Sequence, residues 1–326
     1  MLPRLKFARG SGSSFESTFW RLILKILLLG KNGQVGWELQ RSLAPLGELV
    51  ALDRNSKNDW GDISHLEKLA DAIRAIKPDV IVNAAAYTAV DKAESDCTLS
   101  FALNALAPET LAIEAQRLGA WLIHYSTDYV FNGKGTAPFD EEDAPCPLNE
   151  YGQSKLVGEH RIEKMCTRHL IFRTSWVYGA RGNNFAKTML RLGQEKEQLK
   201  VINDQVGAPT GAELIADVTA HAIHHVTRSG QEADSFAGIY HLTASGETTW
   251  FDYAKHVLAH AQQAQSTIKI KATEVLPIAT HDYPTPARRP LNSRLNTFKL
   301  QTTFRLKLPN WQVGVNRMID EILVTS

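Results

Sequence analysis

Tyr151 and Lys155 stand four positions apart in the segment YGQSK, a spacing that places both side chains on one face of a helix. A tyrosine phenol ordinarily titrates near pH ~10, and a neighbouring ammonium lowers the pKa of the phenol by favouring the phenolate. The pair therefore predicts a proton donor at Tyr151 for an alkoxide that develops on a reduced carbonyl. A solvated surface pair fits the same spacing, so other motifs must decide between the two.

A hydroxyl side chain follows the strand predicted over 121–125, in the run Ser126-Thr127-Asp128. In an open α/β sheet, ligands bind outside the carboxyl ends of the parallel strands. Thr127 at such an end can donate a hydrogen bond to a carbonyl oxygen of a substrate. The run is also ordinary turn chemistry, but its place between a glycine turn and the Tyr–Lys pair favours the functional interpretation.

Three glycines, Gly30, Gly33 and Gly36, form the run G-KN-G-QV-G between an apolar segment and an amphipathic one. Such tight turns need residues without a Cβ, and the N–H groups at a helix N-terminus attract phosphates. The run therefore predicts a pyrophosphate site for a dinucleotide, with a nucleotide-free relative of the fold as the alternative. Asp53 lies 20 positions after Gly33, where a carboxylate meets the adenosine ribose. Its charge favours NADH, but Arg54 beside it offsets that charge, so NADH and NADPH both stay open.

Strands and helices alternate through the first half of the chain. The apolar patterns predict strands over 25–30, 48–52, 80–83, 121–125 and 170–173, with helices over 35–46, 65–76, 98–118 and within 148–168. This alternation predicts an α/β fold with a Rossmann-type, doubly wound parallel sheet. We expect residues 24–176 to form an NAD(P)-binding domain.

The rhythm changes after residue 176. Helices are predicted over 214–229 and 250–263, a strand over 238–242, and turns through the proline-rich tail. We expect residues 177–326 to form a smaller, mainly substrate-binding domain, with some segments returning to the sheet.

The composition is that of an ordinary globular protein. Lys and Arg number 36 against 35 Asp and Glu, and this net charge of +1 argues against a dedicated nucleic-acid-binding protein. The three cysteines are scattered, which predicts free thiols. The most apolar stretch, FWRLILKILLLG, falls short of the ~20 residues of a spanning helix, and no export-signal cleavage site follows it. We therefore expect a cytoplasmic protein that binds neither membrane nor nucleic acid.

Several longer segments carry a family resemblance. They are KILLLGKNGQVGWEL, PDVIVNAAAYTAVDKAE, HYSTDYVFNG, YGQSKLVGE, IFRTSWVYG, NNFAKTML, VINDQVGAPT, YHLTASGETTW and YPTPARRPLNSRLN. Through them, the chain from Lys25 to about Leu323 resembles the dTDP-4-dehydrorhamnose reductases, a family of extended short-chain dehydrogenases/reductases. Residues 1–23 have no counterpart in the family and include a Gly/Ser run. We expect them to be disordered or not native, with Leu24 marking the true start.

The resemblance implies that NADPH or NADH reduces the C4 keto group of dTDP-4-dehydro-L-rhamnose to give dTDP-L-rhamnose, a precursor of surface polysaccharide such as lipopolysaccharide. It implies Thr127, Tyr151 and Lys155 as the catalytic triad, a homodimer and an association with Mg²⁺. The dTDP-sugar is expected near Thr127, Asp128 and Trp176. Together with the glycine turn and the Tyr–Lys pair, the cofactor positions are Gly30, Gly33, Gln34, Val35, Gly36, Asp53, Asp62, Ile63, Ala86, Tyr87, Thr88, Tyr125, Tyr151 and Lys155.

Three other functions are weighed against this one. Sugar-nucleotide 4,6-dehydratases carry Asp-Glu after the threonine, but here Asp128 is followed by Tyr129, so the second carboxylate that elimination needs is missing. A 4-epimerase stays open. A non-catalytic regulatory relative is disfavoured because all three residues of the triad are present.

Two further groups of side chains attract attention. In Arg288-Arg289, one guanidinium, which we assign to Arg289, is expected to face the substrate diphosphate, with a surface ion pair as the alternative. His221, His224 and His225 share one helix face at a spacing that could hold a metal. A solvated helix face is the better interpretation, and we predict no metal site.

Overall fold

Strands and helices alternate along the chain. The computed structural model describes residues 23–57, 60–264 and 269–324, so nearly all of the expected N-terminal extension lies outside the described residues. Up to residue 174 the elements are β1 (Leu24–Leu29), α1 (Gln34–Leu43), β2 (Gly47–Leu52), α2 (Leu66–Ile76), β3 (Val80–Asn83), α3 (Val90–Ala93), α4 (Cys97–Phe101), a π-helical turn (Ala102–Leu106), α5 (Ala107–Leu118), β4 (Trp121–Thr127), α6 (Glu150–Met165) and β5 (His169–Thr174). From residue 177 they are β6 (Val177–Tyr178), α7 (Phe185–Glu195), β7 (Gln198–Ile202), β8 (Val206–Gly207), β9 (Thr210–Gly211), α8 (Ala212–Arg228), β10 (Gly238–His241), β11 (Thr248–Thr249), α9 (Trp250–Gln263), β12 (Glu274–Ile278), α10 (Phe298–Phe304) and α11 (Trp311–Val324).

The central sheet has six strands in the order β10-β5-β4-β3-β1-β2, and every neighbouring pair is parallel. β1 has β2 on one side and β3 on the other, so the direction of winding reverses between β1 and β3. Ligands bind at such a reversal, outside the carboxyl ends of the strands. The predicted Rossmann-type, doubly wound α/β fold is confirmed.

Helices cover both faces of the sheet, as a parallel sheet requires. Ile123 of β4 packs with Ile223 of α8 on one face, where α1 also lies. Leu122 packs with Ile162 of α6 on the other face, together with α2 and α5. Since successive strand residues point to opposite faces, the next residue on the side of Leu122 is His124. Its side chain therefore lies under α6.

A second hydrophobic core lies outside the main sheet. It is built by α7, α9 and α11 with the two-stranded β7–β12 sheet, and it includes Tyr253, Trp311 and Ile319. Three elements from the same half of the chain belong instead to the main sheet, because α8 and α10 pack in the core on one of its faces and β10 extends its edge beside β5. The second half of the chain therefore contributes to both cores.

A π-helical turn interrupts the helix predicted over 98–118. Pro108 lies at the start of α5 and has no N–H to donate to the carbonyl of Asn104, four positions earlier. The hydrogen-bond ladder widens there, and the N–H of Ala107 donates to the carbonyl of Ala102, five positions back. Gly158 of α6 packs onto this turn so closely that a Cβ would lie 2.1 Å from the Asn104 carbonyl oxygen.

The tail is where the sequence prediction fails most. The turns predicted at Pro284, Pro286 and Pro290 lie in non-helical chain, but no helix was predicted after them, where the structure has α10 and α11. α11 buries Trp311, Val315, Met318 and Ile319 at helical spacing against the second core. A smaller difference lies near the start, where α1 ends at Leu43 and a 3₁₀ turn that contains Pro45 continues to residue 46.

Candidate active site

The glycine turn lies at the carboxyl end of β1, beside the reversal of the sheet. Gly30 has a φ of 83°, and a Cβ there would lie 2.7 Å from the backbone nitrogen of Ala85. A Cβ at Gly36 would lie 2.0 Å from the carbonyl oxygen of Gly30. Gly33 precedes the first turn of α1, and within the described part of the chain no side chain caps that turn. The turn therefore packs closely on its own backbone and leaves the first N–H groups of α1 available to an anion.

Asp53 follows β2 directly, with its carboxylate held by its neighbours. Oδ1 accepts hydrogen bonds from the backbone N–H of Asn55 (3.1 Å) and from the hydroxyl of Ser56 (3.0 Å), and Oδ2 accepts one from Asn32. The bond from Asn32 links the ends of β1 and β2. The carboxylate is thereby fixed next to the glycine turn, where an adenosine ribose would lie.

Asp62 and Ile63 close the same side of the crevice. The carboxylate of Asp62 accepts hydrogen bonds from the backbone N–H (2.9 Å) and the hydroxyl (2.7 Å) of Ser64. These bonds hold the pKa of Asp62 below its usual value despite partial burial. Ile63 is buried in the core under α2.

The loop after β3 carries three more of the predicted cofactor positions. Ala86 and Thr88 are exposed at the carboxyl end of the sheet, and Tyr87 between them is buried. Asn104 of the π-helical turn holds the Tyr87 backbone from both sides, because its Oδ1 accepts from the N–H (2.9 Å) and its Nδ2 donates to the carbonyl (3.0 Å). The irregular turn thus fixes the loop that faces the glycine turn.

Thr127, Tyr151 and Lys155 come together between β4 and α6. Asn149 caps α6 by accepting a hydrogen bond from the Gly152 N–H (2.8 Å), which fixes where the helix begins. Tyr151 and Lys155 follow on adjacent turns of α6, and the Tyr151 hydroxyl meets the hydroxyl of Thr127 at the end of β4. The structure therefore brings the hydroxyls of Thr127 and Tyr151 together, with Lys155 one turn further along α6.

The pKa of Tyr151 moves in the direction opposite to the prediction. Burial raises it to about 12, and the negative charge of Asp128 adds to the effect. Lys155 does not offset this, because its Nζ points at β4: it donates to the carbonyl of Tyr125 (2.6 Å) and lies 3.1 Å from Nε2 of His124. Tyr151 is therefore a fully protonated phenol over the working range of pH.

Lys155 is itself an unusual group, because its side chain is only 2 % exposed. Burial lowers its pKa to about 8, although the carboxylate of Glu159 one turn further along α6 favours the ammonium. Glu159 forms a buried ion pair with Arg173 of β5, at 2.7 Å between Oε2 and Nη2. The active-site helix is thereby tied to the sheet by a charged pair.

Comparisons with known proteins identify the family of the chain. The family model described as the RmlD substrate binding domain matches residues 24–324. The dTDP-4-dehydrorhamnose reductase of Escherichia coli (strain K12) is 57 % identical over 303 residues, which cover 93 % of this chain and 99 % of the relative. The chain belongs to the dTDP-4-dehydrorhamnose reductase family.

Solved structures of dTDP-4-dehydrorhamnose reductases share the fold. One from Clostridium acetobutylicum has a TM-score of 0.83 at 34 % identity and covers 92 % of this chain and 99 % of its own. Another, from Bacillus anthracis and in complex with NADP, has a TM-score of 0.80 at 33 % identity, with the same two coverages.

The predicted substrate-binding residues lie around the triad, in different environments. Asp128 is buried, and burial raises its pKa to about 6 despite hydrogen bonds from Thr127 and Ser293. Arg289 pairs with Asp91 at 2.7 Å, and its guanidinium carbon lies 5.9 Å from the centre of the Tyr129 ring. Its Nη1 is buried without a hydrogen-bond partner among the described residues. Arg289 therefore combines the two predicted features: it forms an ion pair with Asp91, and its Nη1 is a donor without a partner among the described residues.

Trp176 adopts a φ of 49°, which is uncommon for a bulky residue. Its indole stacks on Trp250 of α9, with ring centres 3.6 Å apart. A Cβ at Gly207 would lie 2.8 Å from the same indole, so only a glycine leaves room for the ring. Because Trp250 is stacked on the Trp176 indole, a ligand would contact the edge of the ring rather than the stacked face.

Tyr125 also differs from the prediction in its orientation. Its hydroxyl bonds the hydroxyl of Thr219 on α8 at 2.8 Å, on the face of the sheet opposite to α6. The carbonyl of Tyr125, which accepts from Lys155, is the group that faces the active site.

Sequence reasoning missed several buried polar residues of this family's site. Asn83 and His124 meet between neighbouring strands, and Glu159 meets Arg173 across a helix and a strand. The cap at Asn149 had a readable signal, an asparagine directly before a helix. Pro108 inside a helical pattern signalled the irregular turn that positions Asn104.

The Mg²⁺ that the resemblance implied finds no ligand set within the ranges the structure describes. No group of three or more His, Cys, Asp or Glu side chains there could hold a metal ion. His221 instead bonds the carbonyl of Phe304 at 2.9 Å, and His225 packs edge-on against Phe236. The residues present do not fit a resident metal in a single chain, and no chemical step is assigned to one.

Proposed function

We propose that this chain reduces the C4 keto group of dTDP-4-dehydro-L-rhamnose to form dTDP-L-rhamnose. The observation that carries the proposal is the meeting of the Thr127 and Tyr151 hydroxyls at the end of β4, with Lys155 on the next turn of α6. Family membership over residues 24–324 supplies the substrate. A relative from Bacillus subtilis, 36 % identical, is a spore coat polysaccharide biosynthesis protein, which supports a place for the product in surface polysaccharide synthesis.

Tyr151 supplies the proton in this reaction. Burial keeps the phenol protonated, so it can donate to the oxygen that becomes the C4 hydroxyl. Thr127 orients that oxygen, since its hydroxyl lies beside the Tyr151 hydroxyl. The reduced nicotinamide, when bound, supplies the hydride. Lys155 in its ammonium form stabilises the phenolate that Tyr151 leaves behind.

The glycine turn fits the pyrophosphate of NADPH or NADH, because Gly30 and Gly36 let the backbone pack tightly and, among the described residues, no side chain caps the first N–H groups of α1. The NADP complex of the Bacillus anthracis relative supports a nicotinamide dinucleotide. We assign the ribose contact to Asp53, and Arg54 beside it is exposed and available to a 2′-phosphate. Activity with each cofactor ranks the two.

Residues 177–326 supply the remaining substrate contacts in this proposal. Arg289 is assigned to the diphosphate because its Nη1 is a buried donor that no described residue satisfies. We expect Arg289→Ala to raise the KM for the dTDP-sugar about tenfold, the value of one charged hydrogen bond. The exposed Arg288 provides the matched control, and Arg288→Ala should leave the KM unchanged. An unchanged KM in Arg289→Ala would remove this residue from the substrate site.

The deciding experiment follows absorbance at the reduced-nicotinamide band. The protein is mixed with NADPH or NADH and with dTDP-4-dehydro-L-rhamnose, which upstream enzymes generate from dTDP-glucose. Consumption of cofactor equal to the substrate supports the reductase. A 4-epimerase would retain its cofactor without net consumption, and a regulatory relative would bind the cofactor and leave both reactants untouched.

A homodimer stays a prediction from the resemblance, and a cytoplasmic location stays a prediction from the sequence pattern. Over the described ranges, the helices are too short or too polar to cross a bilayer. Light scattering of the purified chain with and without Mg²⁺ measures the first prediction and the effect of the metal together.

A further inference from the structure

A buried polar relay connects the middle of the sheet to Lys155. Nδ2 of Asn83 on β3 lies 3.1 Å from Nδ1 of His124 on β4, and Nε2 of the same imidazole lies 3.1 Å from Nζ of Lys155. All three side chains are at most 2 % exposed. The mechanism above uses Lys155 alone and gives the other two residues no part.

Asn83 fixes the direction of the hydrogen bond in this relay. Its Oδ1 accepts from the backbone N–H of Ala85 at 3.2 Å, so the NH₂ end of the amide faces His124. An NH₂ group only donates, and Nδ1 of His124 must therefore be the bare, accepting nitrogen. In a neutral imidazole the proton then sits on Nε2, directed at Lys155.

An N–H at Nε2 accepts nothing, so it distinguishes the two forms of Lys155, both of which can donate to the carbonyl of Tyr125 at 2.6 Å. A neutral amine has one lone pair and accepts the hydrogen bond, whereas an ammonium has only donors. We propose that His124 is a positioning residue: locked as the Nε2–H tautomer by Asn83, it holds the uncharged amine of Lys155 at β4 and turns the ammonium away toward Tyr151.

The other titratable groups around the relay are compatible with a change in the protonation of Lys155. Burial lowers the pKa of His124, so the ring stays neutral and gives no competing charge. Burial lowers the pKa of Lys155 to about 8. Glu159 opposes this lowering from the next turn of α6, with its charge largely engaged by Arg173. The charge of Asp128 acts on Tyr151, whose pKa it raises.

A consequence for cofactor binding follows. In the free protein above about pH 8, Lys155 is an amine docked on His124. The active form is the ammonium beside Tyr151, so binding of NADPH at that pH takes up a proton from solvent. The expected alkaline limb of kcat/KM falls near pH 8, because kcat/KM reports the ionisation of the free enzyme.

The direct test is the tautomer of His124 in the full chain without cofactor or substrate. Protein labelled with ¹⁵N-histidine is examined at about pH 9 by two-bond proton–nitrogen correlation, and His124→Gln identifies the signal. His169 is an internal reference for the opposite tautomer, because its Nδ1 donates to the carbonyl of Cys166 at 2.7 Å. We expect the proton of His124 on Nε2. A proton on Nδ1 overturns the proposal, whatever the variants do.

Asn83→Asp should switch His124 to the other tautomer and tests the effect on the protonation of Lys155. A carboxylate accepts from Nδ1–H, so Nε2 becomes an acceptor and stabilises the ammonium of Lys155. The alkaline limb of kcat/KM should move up by about one pH unit, and calorimetry in two buffers should show less proton uptake when NADPH binds. Asn316→Asp is the matched control, since Asn316 also contacts a histidine, His256 (2.6 Å), but in the second core.

The measurement of kcat/KM rests on the proposed function, whereas the tautomer and the proton uptake do not. An unmoved alkaline limb and unchanged proton uptake in a folded Asn83→Asp protein contradict the inference. If the variant fails to fold, the tautomer in the unchanged chain still decides. If the protein does not reduce the proposed sugar, the tautomer and the proton uptake stand, because neither needs the substrate.

Discussion

The glycine turn and the region where β4 meets α6 build their parts of the site in different ways. The turn is made by residues close in sequence, and backbone geometry dominates it: glycines without a Cβ and free N–H groups at the start of α1. The second region joins side chains from β3, β4, β5 and α6, and its contacts are buried polar bonds. A backbone site tolerates few side chains, whereas a side-chain site depends on many distant partners.

Removing the proton donor should have the largest effect. Tyr151→Phe keeps the ring and removes the acid, and we expect kcat to fall by ~10²–10⁴. Tyr151 is also among the predicted cofactor positions, so binding of NADPH should weaken, but far less than kcat falls; steady-state kinetics and cofactor titration measure the two effects separately. Tyr240→Phe is the control, because that hydroxyl bonds the carbonyl of Phe236 at the edge of the sheet. Full activity in Tyr151→Phe would contradict the role of the phenol.

The ion pair behind the triad should come next. Glu159→Gln leaves Arg173 buried with its charge unmatched, which costs about 3–5 kcal/mol of unfolding free energy. The variant should also lower the pKa of Lys155, since the Glu159 carboxylate raises it. Chemical denaturation measures the first effect. Arg191→Gln, which breaks an exposed pair with Glu195 (3.0 Å), is the contrast and should cost less than about 1 kcal/mol.

Two glycine substitutions test the backbone packing of the turn. In Gly36→Ala the added Cβ meets the Gly30 carbonyl at 2.0 Å, so the turn must shift, at about 1–3 kcal/mol of stability. In Gly33→Ala the nearest contact would be 3.4 Å, and the chain should fold normally. The second variant should still weaken NADPH binding, since its methyl enters the space given to the pyrophosphate. Equal melting temperatures for the two variants would argue against this packing.

Asp128 should give the smallest effect, and one that depends on pH. Burial raises the pKa of the folded carboxyl to about 6, so the folded chain keeps the proton to a higher pH than the unfolded chain. Stability therefore falls as pH rises from about 4 to 6. Asp128→Asn removes this loss and should stabilise the protein at pH 7 by about 1–3 kcal/mol, with little difference below pH 4. Chemical denaturation at pH 7 and below pH 4 measures the difference in unfolding free energy, and a stabilisation found mainly below pH 4 would contradict the prediction.

The same comparison explains what the sequence could predict. The turn at Gly30–Gly36, the alternation of β1 to β5 and the Tyr151–Lys155 spacing are local patterns, and all three are found in the structure. The relay from Asn83 through His124 joins residues 41 positions apart, and only the parallel pairing of β3 and β4 brings them together. The orientation of Lys155 and the direction of the Tyr151 pKa shift depend on burial between β4 and α6. Because residues distant in sequence produce that burial, no local pattern predicted either feature.

The π-helical turn before α5 makes the length of that helix as important as its residues. Each helical residue turns the chain by about 100°, so losing one residue between Ala102 and Leu106 would rotate the helix relative to α4. Either Asn104 would leave the Tyr87 backbone or the face with Leu111 and Ala115 would leave the core. Substitutions within this segment change one contact at a time. A single-codon deletion would instead break either the contact of Asn104 with the cofactor loop or the packing of α5 in the core.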